Sequence, residues 1–291
     1  MDKCIITSAS NKFFPSLINL IGSIKDKYPD HPHIYVYDLG LFATFKKEIS
    51  DIPGVSLLNI PHFAPFWRSC YTWKTYIFNN PLAELNLYLD AGNQATKTLE
   101  GLFDIIDKQG YLLVSAGDTV KNGDIIPREY VNIFKISDEY LDQGIVTAGI
   151  FGFKKDDPLI TDFTKKLFDC GLAGLCLGFS KNEQWKNKGV NKNYFIRNAK
   201  YFRHDNTLFC ALIEKMIPNA IIEPFANFYT DKKDDPKQYL WNLRLNFKRL
   251  DYVFVRQSKS PLIIRFINST FIKSFLALKE INRIIKKNHY E

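Results

Sequence analysis

The sequence has no phosphate-loop motif, no GxGxxG fingerprint and no GxSxG nucleophile elbow, which removes the common signatures of NTPases, dinucleotide enzymes and α/β-hydrolases. No Ser/His/Asp set stands out, and no internal repeat is visible. The segment ITSASNKFFP, following the first apolar run, contains no glycine. That argues against a nucleotidyltransferase, which would hold a triphosphate in a Gly-rich, basic loop there. Cysteine is scarce: Cys4, Cys70, Cys170, Cys176 and Cys210 make an odd number without CxxC spacing, so neither a zinc site nor a disulfide framework is expected. Cys4 and Cys210 lie in apolar runs and read as buried thiols in a reducing compartment. There is no run of about 18 apolar residues to span a bilayer. The opening MDKCIITSAS shows neither a signal-peptide core nor an arginine-rich transit pattern, and a cytoplasmic location is expected.

What is present reads as a folded globular protein. Hydrophobic residues make up 46% and charged residues 24% of 291 positions, enough to bury a core in one large or two small domains. The 24 Phe and 15 Tyr fit either a Phe-rich core or a surface on which sugars or bases stack. A net charge of +8 suggests phosphate-bearing partners. Nucleic acid is not expected among them, because the Lys-rich stretches carry no recognition motif.

Short apolar runs alternate with helical patterns over the first 117 residues. KCIITSAS, HIYVYDLGL, VSLLNI, NLYLDAGN and YLLVSAG read as strands. Between them, FFPSLINLIGSIKDKYP has Leu17, Leu20, Ile21 and Ile24 at helical spacing. FATFKKEIS, SCYTWKTYIFNN (stopped by Pro81) and LEGLFDIIDKQG (ended by Gly110) also read as helices. The strands are apolar throughout, the pattern of a mostly parallel sheet covered on both faces. The expected class is therefore α/β, with a central sheet flanked by helices and ligands at the strands' carboxyl ends. Further on, 144–155 reads as a strand with small residues, and DDPLITDFTKKLFDCG and RHDNTLFCALIEKMIP as helices. NAIIEPF reads as a strand, and 180–200 as a polar loop or an extension over the site. A charged turn, DKKDDPKQ, suggests a boundary after 235, with 236–291 as a C-terminal extension. Within that extension, 261–288 places Ile263, Ile267, Phe271, Leu278 and Ile285 among Arg265, Lys273, Lys279, Arg283 and Lys286. This is a basic amphipathic helical tail: it lies on an anionic membrane face, packs on the domain, or binds a partner protein.

Several residues carry potential chemistry. Asp90 stands at the tip of LYLD, where a carboxylate is costly unless it faces a cavity or a cation. It suits a ribose hydroxyl or a divalent metal, or else a turn. Asp38 ends the second strand in the same way and suits a nucleotide's base or ribose, with a turn as the alternative. Lys74, inside the aromatic YTWKTYI, and Arg68 suit a diphosphate, with a surface lysine as the alternative. Ala148, Gly149 and Gly152 in TAGIFGF let a ligand, or simply tight packing, approach the backbone. His204, Asp205 and Asn206 cluster at a helix start, pointing into a pocket or capping the helix.

Taken in order, IITSAS, VYDLGL, YTWKTYI, LYLDAGN, TAGIFGF and RHDNTLF resemble the GT-A fold nucleotide-diphospho-sugar transferases, in particular glycosyltransferase-like families distantly related to family 8. The resemblance covers about residues 3–225 and rests chiefly on YDLGL and LDAGN together. It implies transfer of a sugar from a nucleotide-sugar donor to an acceptor hydroxyl, in the synthesis of cell-surface glycans or glycolipids; the alternative is a catalytically degenerate domain of this fold that binds glycans or scaffolds a complex. Thr7, Ser8, Asp38, Arg68, Lys74, Asp90 and Asn93 then fall on the donor nucleotide, and Ala148, Gly149, His204, Asp205 and Asn206 by the sugar or acceptor. Asp205, Asp90 and Lys74 are the implied catalytic set. Asp90 matches the first Asp of the family's DxD metal motif, but Gly92 stands in place of the second, and Asn206 replaces a Gln. The only His after His204 is His289. Mn2+ or Mg2+ would therefore rest on Asp90 and Asn93, or Lys74 and Arg68 would neutralise the diphosphate themselves. The basic tail would hold the enzyme peripherally at the inner membrane face, near a glycan or lipid-linked acceptor.

Overall fold

The computed structural model describes residues 1–177, 202–228 and 237–242. The five expected strands form: β1 (Lys3–Ala9), β2 (His33–Asp38), β3 (Val55–Asn59), β4 (Leu85–Leu89) and β6 (Tyr111–Ser115). The short β5 (Asn93–Ala95) lies between the last two. Helices α1 (Phe14–Lys27), α2 (Ala43–Ser50), α3 (Trp73–Phe78) and α4 (Glu100–Gln109) connect them. Short helices α5 (Asn122–Ile125), α6 (Arg128–Phe134) and α7 (Asp138–Leu141) lead into β7 (Val146–Lys154). Then come α8 (Pro158–Leu172), α9 (Asp205–Met216), β8 (Ile222–Glu223) and β9 (Leu240–Asn242).

Seven strands form one sheet in the order β3-β2-β1-β4-β7-β6-β8. β3, β2, β1 and β4 are parallel neighbours, and β6 is parallel to β8. β7 alone runs against its neighbours β4 and β6. The α/β class with a mostly parallel, helix-flanked sheet is thus present. Both faces are buried, because alternate residues of one strand enter different cores. Cys4, Ile6, Tyr88, Phe151 and Phe153 join α8 and α9 on one face; Ile5, Val36, Leu87, Leu89 and Ile150 join α1, α2 and α4 on the other. Each fully buried Leu or Phe contributes about 1.5–3 kcal/mol.

Local signals set the helix ends. Pro15 occupies the first turn of α1, where its missing N–H costs nothing. Asp157 caps α8 by accepting from the Ile160 amide at 3.0 Å. Gly110, at φ +83°, closes α4, its amide donating to the Ile106 carbonyl.

One difference from the sequence reading matters. The helix expected over 69–80 is confined to Trp73–Phe78, because Cys70 and Tyr71 stand at φ +53° and +61°, outside helical geometry. Residues 237–242, just beyond the boundary expected after 235, meet the body. Leu240–Asn242 pairs antiparallel with Asn93–Ala95, and Leu240 is fully buried. The polar stretch 180–200 and the basic tail 261–288 lie outside the described residues. Among the described residues, the five cysteines are free thiols, four of them buried, and no helix is long and apolar enough to cross a membrane.

Candidate active site

The strand order places a crevice. From β1 the chain turns through α1 to β2 and β3 on one side, then returns through α3 to β4 on the other. Such a reversal leaves an opening at the carboxyl ends of β1 and β4, where open α/β sheets bind ligands. A cavity of about 620 Å³ opens there, a size suited to a small-molecule ligand. Ser8 and Asp90 line it from the two strand ends. Because β7 is antiparallel, its beginning lies at the same edge. The Asp90 amide donates to the Gly149 carbonyl at 2.8 Å, and Gly149 lines the cavity. A Cβ on Gly149 would stand 2.9 Å from Asp90 Oδ2, so the position has little room for a side chain.

Lys74 is the centre of the site. Its Nζ lies 3.0 Å from Asp90 Oδ1 and 3.0 Å from Asp205 Oδ2, and it donates to the Ala148 carbonyl at 3.2 Å. An ammonium has three protons, and these three acceptors take them all. The lysine expected to touch a diphosphate is therefore committed to two carboxylates and a backbone carbonyl. Its side chain is 5% exposed and that of Asp205 10%, but Asp90 is 41% exposed and opens to the cavity. Burial works against the charge on Lys74. Asp205 and then Asp90 outweigh it and hold the amine well above the usual lysine range. Burial also pushes the Asp205 carboxyl up, Lys74 opposing and Asp90 adding to the rise.

Tyr88 extends the network. Its hydroxyl donates to Asp90 Oδ1 at 2.8 Å and lies 3.0 Å from Ser8 Oγ. The backbone that carries these groups is strained at two points. Tyr71, three residues before Lys74, is left-handed, and His204, next to Asp205, has φ +54° and ψ −114°. Their rings, both lining the cavity, approach to 6.3 Å. Non-glycine residues hold such geometries only where surrounding structure enforces them. The helix-cap alternative for Asp205 and Asn206 does not describe α9: its cap is His204, with no side-chain hydrogen bond.

No family model matches the chain, and no curated protein matches it. Among solved structures, it is similar to the galactosyltransferase LgtC in complex with donor and acceptor sugar analogues, at 11% identity and a TM-score of 0.47, over 76% of this chain and 72% of that one. The glycosyltransferase GlyE of Streptococcus pneumoniae TIGR4 is similar at 12% identity and 0.45, over 77% and 45%. WbbM, a bifunctional glycosyltransferase, is similar at 14% identity and 0.46, over 92% and 51%. The chain spans about half the length of GlyE and WbbM.

The other sequence candidates divide. Ser8, Arg68, Gly149, His204 and Asn206 line the cavity with Lys74, Asp90 and Asp205. Thr7, Asp38, Asn93 and Ala148 do not. Thr7 is fully buried with its hydroxyl unpartnered. Asp38 closes a turn, accepting from the Gly40 and Leu41 amides at 2.7 Å and pairing with Lys46. Burial opposes its charge, but the Leu41 amide, Lys46 and the Gly40 amide prevail and keep the carboxyl below its usual range. The turn alternative thus describes Asp38. Asn93 is buried and braces the site from behind, its amide donating to the Asp90 carbonyl at 2.9 Å. Asn206 accepts from the Ala148 amide at 2.6 Å and donates to the Val146 carbonyl at 3.0 Å, pinning β7 against α9.

Tyr88, Trp73, Lys12, Arg203 and Asn242 belong to the site and were missed. Tyr88 was findable: two residues before Asp90, it must share a strand face with it. Arg203 adjoins His204 and Lys12 follows the end of β1 by three residues, so both were findable too; Asn242 had no local signal, since only tertiary folding brings its segment to the cavity.

The implied divalent metal does not fit these residues. Asp90 is held by Lys74 and Tyr88, and Gly92 offers no side chain. Asn93, the other residue offered for the metal, has its Oδ1 turned to the Asn242 side-chain amide, from which it accepts at 3.3 Å. Among the described residues, no group of three or more His, Cys, Asp or Glu side chains is arranged to hold a metal ion. His289 lies outside them.

Proposed function

We propose that the chain is a glycosyltransferase of GT-A type that moves a sugar from a nucleotide-sugar to an acceptor hydroxyl. The observation that carries this reading is the Asp90–Lys74–Asp205 cluster at the crevice between β1 and β4. A half-exposed carboxylate held by a buried cation is a fixed acceptor for sugar hydroxyls. Arg68, Arg203 and Lys12 around the same cavity suit phosphate oxygens. Tyr71, Trp73 and Phe13 supply apolar faces beside them.

In the transfer, the bond between the anomeric carbon and the diphosphate oxygen breaks and a bond to the acceptor oxygen forms. The acceptor's proton leaves for a basic oxygen. Asp205, paired with Lys74 and raised in basicity by burial, is our candidate for orienting the sugar and accepting that proton. The cationic side chains stabilise the charge on the departing diphosphate. A panel of nucleotide-sugars should contain at least one that the chain hydrolyses slowly or transfers, read as released nucleoside diphosphate. If no donor is bound or hydrolysed, the reading fails.

We further propose a glycan or lipid-linked acceptor, met at an anionic membrane face by the basic, apolar-patterned segment 261–288. The support is the sequence pattern alone. Removing residues 261–291 should release the protein from anionic liposomes in a co-sedimentation assay, while undiminished binding would rule this part out.

A further inference from the structure

The cavity's charges are unusual for a site expected to use a divalent cation. A bridging metal places positive charge between carboxylates and brings diphosphate oxygens to it. Here that place is taken. The Lys74 ammonium sits 3.0 Å from each of Asp90 and Asp205, and its third proton is spent on the Ala148 carbonyl. A second cation between the same carboxylates would stand against a buried ammonium with little water to screen it. Gly92 withdraws the ligand that would draw a metal to the cavity side of Asp90.

The phosphates still need positive charge, and Lys74 has no free proton for them. Three other basic side chains line the cavity: Lys12, Arg68 and Arg203. None is in a salt bridge among the described residues. The Arg68 guanidinium lies over the Trp67 ring at 4.6 Å, which orients its fork without consuming its N–H donors. It reaches the end of β2, 3.6 Å from where a Cβ on Gly40 would stand. Arg203 is tied through its backbone amide to Thr207 Oγ1 at 2.9 Å, beside Asp205. Four basic and two acidic side chains line the cavity, a net of +2 from Lys, Arg and Asp alone. That balances the roughly two negative charges of a sugar diphosphate without a metal ion.

We propose that this site binds the nucleoside diphosphate of its donor without a divalent cation, Lys74 standing where a metal would bridge the carboxylates and Arg68, Arg203 and Lys12 meeting the phosphates. This rests on the glycosyltransferase reading above. Lys74 is then a positioning residue, acting through Asp90 and Asp205, and Arg68 is a direct ligand.

Isothermal titration of the full chain with UDP, GDP, ADP, CDP and dTDP, once in EDTA and once in MnCl2, tests it. The best-bound nucleotide should show affinities within about threefold in the two buffers, and Arg68→Ala should weaken it by about tenfold or more in both. Thermal melts of the variant confirm that it folds. Tightening by Mn2+ beyond about threefold, or loss on Arg68→Ala of less than about threefold, overturns the proposal and leaves sugar transfer standing. If no nucleotide binds in either buffer, the glycosyltransferase reading itself fails and takes this inference with it.

Discussion

Lys74→Met lowers folding stability by about 3–5 kcal/mol, measured by denaturant unfolding at neutral pH. Methionine keeps most of the side chain's bulk, so the loss is electrostatic. Removing the ammonium leaves the nearly buried Asp205 without its counter-charge and faces it with Asp90. The sign of the pH dependence follows. The Asp205 carboxyl already titrates above its ordinary value, because burial favours the protonated form. Without Lys74 it rises further. A carboxyl raised on folding gains stability as pH falls through its folded-state pKa and loses it as pH rises. The raised Lys74 amine carries the same sign in a higher window: its contribution is full below the ordinary lysine value and is lost only as pH climbs through the higher folded value. Acid also protonates Asp205 in the wild type, where its carboxyl already titrates above the ordinary range. The gap between variant and wild type should therefore narrow as pH falls. The double variant Lys74→Met with Asp205→Asn should recover part of the loss at neutral pH. A neutral-pH loss under about 1 kcal/mol would show that the cluster is not the buried ion network described here.

Asp90→Ala abolishes donor turnover, and Asp205→Asn lowers it by about 10²–10⁴-fold. The two differ in what they leave intact. Asp205→Asn is nearly isosteric and leaves Lys74 paired with Asp90, so the fold and the phosphate-binding cations persist. Nucleoside diphosphate affinity should then stay within about threefold of wild type while kcat collapses. Asp90→Ala also frees the Tyr88 hydroxyl and one side of Lys74, so both affinity and turnover fall. The measurement is steady-state transfer or donor hydrolysis beside calorimetric nucleotide binding. If Asp205→Asn keeps kcat within about tenfold, Asp205 is removed from the chemistry.

The proposed chemistry depends on how tightly these groups are fixed. Asn93 and Asn206 hold the backbones of Asp90 and β7 from the protein side, and Tyr88 and Lys74 hold the Asp90 carboxylate. Fixed dipoles and charges act on a reacting centre without reorganising. The strained backbones at Tyr71 and His204 belong to the same picture, since both carry rings that line the cavity.

The sequence by itself determined the frame. Apolar strands without polar alternation specify a sheet buried on both faces, and the βα alternation makes its first part parallel. Those two facts put Asp90 at the ligand edge, because the chain direction decides which strand ends share it. Gly92 was legible for the same reason: a residue type at a known strand tip tells what chemistry is withheld. Three things needed the tertiary structure. The reversal of β7, which brings Gly149 against Asp90, leaves no mark on a strand buried on both faces. The inward direction of Lys74 depends on where a six-residue helix starts, and that start is displaced by a left-handed turn whose residues, Cys70 and Tyr71, carry no glycine signal. The fates of Asp38 and Asp205 were decided by partners: backbone amides of its own turn and Lys46 for the first, a distant lysine for the second. A carboxylate's position is written in local pattern, but its role depends on which charges folding brings within about 4 Å, where the interaction energy becomes decisive.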